Sequence, residues 1–149
     1  MSGEITIKFI VDYYDAVTGI LGYSAEETGN PDEITVNVLA ILFDVLSEKY
    51  VQPESHINEI NENNEVFEKF VERLVEVIEH ETIHAILYRM GITNYKHQEN
   101  VAWVITCIRN PKLIYEIDKY NAQHYDDVID TEFVYRAVEK LLGQIHRRW

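Results

Sequence analysis

Residues 65–91 read EVFEKFVERLVEVIEHETIHAILYRMG, and the period of this stretch decides the fold. Phe67, Phe70, Val71, Leu74, Val75, Ile78, Ile83, Ala85, Ile86 and Leu87 recur among charged residues with the three-and-four spacing of a helical face. Glu65 and Glu68 suit the positive end of a helix dipole, and Gly91 stands where a glycine commonly ends a helix. The pattern predicts one long helix from Glu65 to Met90. Ile78, Ile83, Ile86 and Leu87 make the flanks of its second half apolar, which predicts burial on several sides, where polar side chains need partners.

On the N-terminal side, Ile5, Ile7, Phe9 and Val11 alternate with Thr6, Lys8 and Ile10, the period-two pattern of a strand. Phe9, Ile10, Tyr13, Tyr14 and Val17 also fit a helical period, so both readings stand over this stretch. A segment from Ile20 to Glu26 is separated by Gly29-Asn30-Pro31-Asp32 from Ile34-Thr35-Val36-Asn37-Val38, which predicts a β-hairpin. A helix is expected from Leu39 to Tyr50, then a solvated connector over 52–64. Beyond Gly91, helices are expected from about Lys96 to Arg109, from Lys112 to about Gln123 and from Thr131 to Arg147. Asn110-Pro111 stops the first of these. Asp130 or Thr131 caps the last, and His146, Arg147 and Arg148 complement its C-terminal dipole.

The chain has 149 residues, 46% of them hydrophobic, which suits a single domain with one packed core over 1–149. It carries 26 acidic residues against 13 Lys plus Arg, a formal net charge of −13. That excess of carboxylates repels phosphates and argues against nucleic acid as a partner. No apolar run approaches the roughly 20 residues needed to cross a bilayer. A single cysteine, Cys107, and a start lacking a basic segment followed by an apolar one make the cytoplasm the expected compartment.

Chemistry is concentrated in His80-Glu81-Thr82-Ile83-His84, an HExxH motif inside the long helix. Residues four apart stack on one helical face with Cβ atoms about 5–6 Å apart, so two imidazoles can reach one tetrahedral ion. Glu81 projects about 100° around the helix and is placed to act on water as a general base instead of being a third equivalent ligand. This pattern suits zinc-dependent peptide hydrolysis. Catalytic zinc sites usually have three protein ligands, and the helix expected after Gly91 offers His97 and Glu99. Two residues apart on a helix point roughly 200° apart, so these are alternatives. Glu99, Ala102, Trp103 and Thr106 share one stripe; His97, Val101, Val104, Ile105 and Ile108 form another, better suited to apolar packing, which favours Glu99 as ligand.

His80, Glu81, His84 and Glu99 together resemble the gluzincins, zinc metallopeptidases in which HExxH is followed by a glutamate on a second helix, and especially their compact, minigluzincin-like members. The resemblance implies a small α+β zincin-like domain: a short N-terminal sheet, an active-site helix, a glutamate helix and C-terminal helices. It implies a Zn2+ ion held by His80, His84 and Glu99, with Glu81 activating water, and an edge strand over Ile34–Val38 that pairs with extended peptide or protein substrate. The sequence departs from metzincins, because Ala85-Ile86-Leu87-Tyr88-Arg89-Met90 follows His84 without their glycine and third histidine. By analogy with compact gluzincins, Gly143–Trp149 is a candidate segment for covering the cleft, with packing as an ordinary terminal helix as the favoured alternative.

Other residues compete for roles. Tyr95, Tyr120 and His124 are of types that polarise a carbonyl, with ordinary packing as the alternative. Trp103 could line the site or fill the core, and Asn37 could serve a turn or a substrate contact. Cys107 reads as a buried small hydrophobe. The negative charge favours basic substrates through electrostatic steering. Two other functions compete with the peptidase: a non-catalytic zinc-containing domain that binds peptide or regulates, and an acidic interaction protein with a fortuitous HExxH.

Overall fold

The structure is a computed structural model that describes residues 4–24, 28–123 and 129–147. It is α+β, with a small sheet near the N-terminus followed by helices. The chain divides into two compact units, the first ending at Ile86 and the second beginning at Leu87.

In the first unit, β1 (Thr6–Ile10), β2 (Gly22–Tyr23) and β3 (Glu33–Asn37) form a sheet in the order β1-β3-β2. β1 runs parallel to β3, with Thr6 opposite Glu33 and Ile10 opposite Asn37. β2 is antiparallel to β3, with Gly22 opposite Val36 and Tyr23 opposite Thr35, as the expected hairpin requires. The edge-strand role implied for Ile34–Val38 is corrected: β3 is the central strand, because the chain returns between β1 and β2. Its Ile34, Thr35, Val36 and Asn37 are all buried, as a strand paired on both sides demands.

The ambiguous stretch after β1 uses both of its periods in succession. The strand ends at Ile10, and a short helix, α1 (Tyr13–Val17), starts where the Asp12 side chain accepts the Asp15 N–H at 2.9 Å. Asn37 ends β3 and caps the next helix, α2 (Val38–Ser47), accepting the Ala40 N–H at 3.3 Å. The same Oδ1 accepts the Asp12 N–H at 3.3 Å, while Nδ2 donates to the Asp12 carbonyl at 3.0 Å. Asn37 is fully buried, so its role is to join the β1 exit to the α2 start.

The connector carries a 3₁₀ turn at Pro53–His56 and a short helix, α3 (Glu59–Glu62). The long helix α4 (Asn64–Arg89) follows, about 39 Å in length at 1.5 Å per residue. Asn63 precedes it and accepts the Glu65 and Val66 N–H groups at 3.0 and 3.4 Å. Val66 packs with Leu42, Val45 and Leu46 of α2, and Leu74, Val77 and Ile78 pack with Val36 and Ile41. Arg73 of α4 pairs with Asp44 and Glu48 at the border of this contact. The apolar flank expected at Ile86 is corrected, since Ile86 is 45% exposed. Gly91 ends α4 at φ +91°, and the Ile92 N–H donates back to the Leu87 carbonyl at 3.0 Å, the closure a left-handed glycine permits.

The second unit contains α5 (Tyr95–Arg109), a 3₁₀ turn at Pro111–Tyr115, α6 (Glu116–Gln123) and α7 (Thr131–Arg147). Its core joins Val104 and Cys107 of α5 to Ile117, Ile129, Val134 and Val138. Asp130 caps α7 by accepting the Phe133 N–H at 3.0 Å. His124 and the side chains of 144–149 lie outside the described residues, and with them the dipole pairing by His146, Arg147 and Arg148 and the covering role considered for the C-terminal segment. Among the described residues, no helix is long and apolar enough to cross a membrane.

Candidate metal centre

His80 and His84 lie one turn apart on α4. Their rings meet at 67° with centroids 4.8 Å apart, and their Nε2 atoms approach to 3.2 Å. Two ligands placed ~2.05 Å from a tetrahedral ion are about 3.3 Å apart, so this spacing fits two corners of one coordination sphere. His84 is only 1% exposed. Thr82, between them, turns its hydroxyl back to the Ile78 carbonyl at 2.7 Å, bonding the helix backbone.

The third member is Glu99 of α5. His80, His84 and Glu99 each offer one ligand atom, and these atoms all lie within 4.8 Å of one another. Glu99 is 2% exposed, whereas His97 is exposed and belongs to no such group among the described residues. Two things fix this choice locally. The Asn94 side chain accepts the His97 N–H at 3.2 Å and sets the first turn of α5. Gln98, also fully buried, donates from Nε2 to the Ile92 carbonyl at 2.6 Å and anchors the loop that leads into the helix. The expected stripes of α5 need one correction: its buried residues are Gln98, Glu99, Ala102, Val104 and Cys107, while Val101, Ile105 and Ile108 are half-buried. Polar Gln98 and Glu99 therefore occupy the inner face that an apolar count assigns elsewhere.

The half-buried His80 imidazole, the buried His84 imidazole and the buried Glu99 carboxylate form a donor set that suits a divalent cation. The residues present could hold a metal ion.

Glu81 follows the first histidine on α4 and is half-buried. Its neighbour is a residue that the sequence reading passed over. A Cβ built on Gly22 of β2 would lie 3.2 Å from the Glu81 Cγ and 3.5 Å from its Cδ. The available signal was a glycine within an apolar, strand-like run, which often marks close approach of another group to the backbone.

Tyr120 meets Trp103 edge-on with ring centroids 5.4 Å apart, and both pack on the core of the second unit. Tyr95 is half-buried at the start of α5. Cys107 is fully buried, and desolvation pushes its thiol up to about 11, so it carries no thiolate at neutral pH. No family, curated protein or solved structure matches the chain.

Proposed function

We propose that the chain is a zinc-dependent metallopeptidase with a gluzincin-type centre on a zincin-like domain. The observation that carries this reading is the convergence of His80, His84 and Glu99 ligand atoms within 4.8 Å, with the motif glutamate Glu81 left outside the ligand set. Imidazole with one carboxylate suits zinc, whereas calcium prefers an all-oxygen shell of six to eight ligands. When bound, zinc supplies a Lewis acid that polarises a carbonyl and lowers the pKa of water to ~7.

His80, His84 and Glu99 hold the ion. Glu81 takes a proton from the attacking water as the water oxygen bonds to the scissile carbon, then gives that proton to the leaving nitrogen as the C–N bond breaks. The carboxylate is regenerated in its starting state. β2 takes over the substrate-pairing role implied for Ile34–Val38, because it is an edge strand and its Gly22 lies against Glu81. The net charge of −13 favours peptides with basic side chains.

Incubating the zinc-loaded protein and its Glu81→Gln variant with a random peptide library tests the activity. The wild type should cleave, and the variant should keep its zinc while losing roughly a hundred- to ten-thousandfold in rate, because the amide cannot accept the proton. Equal cleavage by both proteins rejects Glu81 as the base. Zinc bound by both with no cleavage favours a non-catalytic peptide-binding domain.

A further inference from the structure

Among the described glycines, Gly19, Gly29 and Gly91 have positive φ, and nothing lies within 4 Å of a Cβ built on any of them. Their glycines answer a backbone need. Gly22 is the opposite case: its φ is not positive, so any residue could adopt its backbone conformation, yet an added Cβ would meet Thr35 O at 2.8 Å and Glu81 Cγ at 3.2 Å. The constraint there is space.

We propose that Gly22 is a positioning residue for Glu81: the bare backbone of β2 lies against the Glu81 side chain and sets where its carboxylate rests. The role in turnover rests on the peptidase reading above, whereas the packing relation does not. Carbon atoms pack most favourably about 3.5–4.0 Å apart, so a methyl group at 3.2 Å forces either β2 or Glu81 to move. The 2.8 Å approach to the Thr35 backbone oxygen is relieved only by a shift of β2 against β3, whereas the approach to Glu81 is relieved when its side chain gives by a few tenths of an ångström. The Glu81 carboxylate is therefore displaced, while no atom of His80, His84 or Glu99 is among the three nearest neighbours of the added methyl.

A double-mutant cycle between Gly22→Ala and Glu81→Ala, read by thermal melting and by zinc stoichiometry, tests this. The contact with Thr35 O is present in both backgrounds and cancels in the difference, leaving the contact with Glu81. Gly22→Ala should lower the melting temperature more in the wild type than in Glu81→Ala, with zinc content unchanged. Equal losses in the two backgrounds overturn the proposal, as does loss of zinc from Gly22→Ala. If Gly22→Ala folds only in the Glu81→Ala background, the coupling is demonstrated; if it folds in neither, Thr35 is the dominant neighbour and the proposal fails. Where hydrolysis is measurable, Gly22→Ala should lower kcat about a hundredfold in the wild type and have no further effect in Glu81→Ala. A melting cycle that couples in a protein without hydrolysis rejects the peptidase reading and leaves the packing relation standing, and hydrolysis with an additive cycle does the reverse.

Discussion

His97 and Glu99 are two positions apart, and reach along the chain does not separate them. Burial does: Glu99 is 2% exposed and joins the histidines, while His97 is exposed. The same contrast governs Cys107. Its neutral thiol is favoured in the fold, with a pKa raised from 9.0 to about 11 by desolvation. A group whose folded pKa is raised contributes stability that is complete below its unfolded pKa and is lost as pH climbs through the folded value. The wild type should therefore lose more stability than Cys107→Ala between pH 9 and about 11, as read from melting curves across that range. At pH 8, iodoacetamide should label Cys107 only after unfolding.

Elements were legible where one local signal dominated. The long helix was expected from Glu65 to Met90 and spans Asn64–Arg89, ended by Gly91 as its left-handed conformation requires. α7 spans Thr131–Arg147 as expected, capped by Asp130. The sheet was harder to read because strand order is non-local: hydrophobic alternation marks β3 as a strand but does not say that β1 and β2 flank it on either side. β2 has only two paired residues and no period to detect, which is why Gly22 escaped notice. Asn37 shows the same limit, since its side chain bonds Asp12 across 25 positions of sequence. Asn37→Ala removes the α2 cap and leaves the backbone N–H and carbonyl of Asp12 without this partner. It should cost about 2–4 kcal/mol by urea denaturation. A loss under about 1 kcal/mol would show that water replaces the amide there.

For the molecule as a whole, the grouping of His80, His84 and Glu99, which could hold a metal ion, was legible from the HExxH spacing and the stripe that Glu99 occupies, whereas the distances between them were not. A bound ion stabilises whichever state holds its ligands together. With free zinc about 100-fold above its dissociation constant, the folded state gains ~2.7 kcal/mol. Treating purified protein with a chelator should lower its melting temperature by about 5–10 °C, and adding zinc back should restore it. Calcium should not, because this site offers too few oxygen ligands. The net charge of −13 adds a second whole-molecule effect: association with basic peptides should slow as salt is raised from 0.01 to ~0.15 M, where the Debye length falls from about 30 to about 8 Å.

Elemental analysis of zinc per chain in the wild type and in His80→Ala, His84→Ala, Glu99→Ala and His97→Ala, with circular dichroism confirming that each variant is folded, tests the metal centre itself. The wild type and His97→Ala should carry about one zinc per chain, and the other three should carry little or none, because each lacks one of the three proposed ligands. Full zinc content in folded His80→Ala and His84→Ala would contradict the centre altogether, and zinc lost from His97→Ala but kept by Glu99→Ala would contradict the gluzincin character proposed for it.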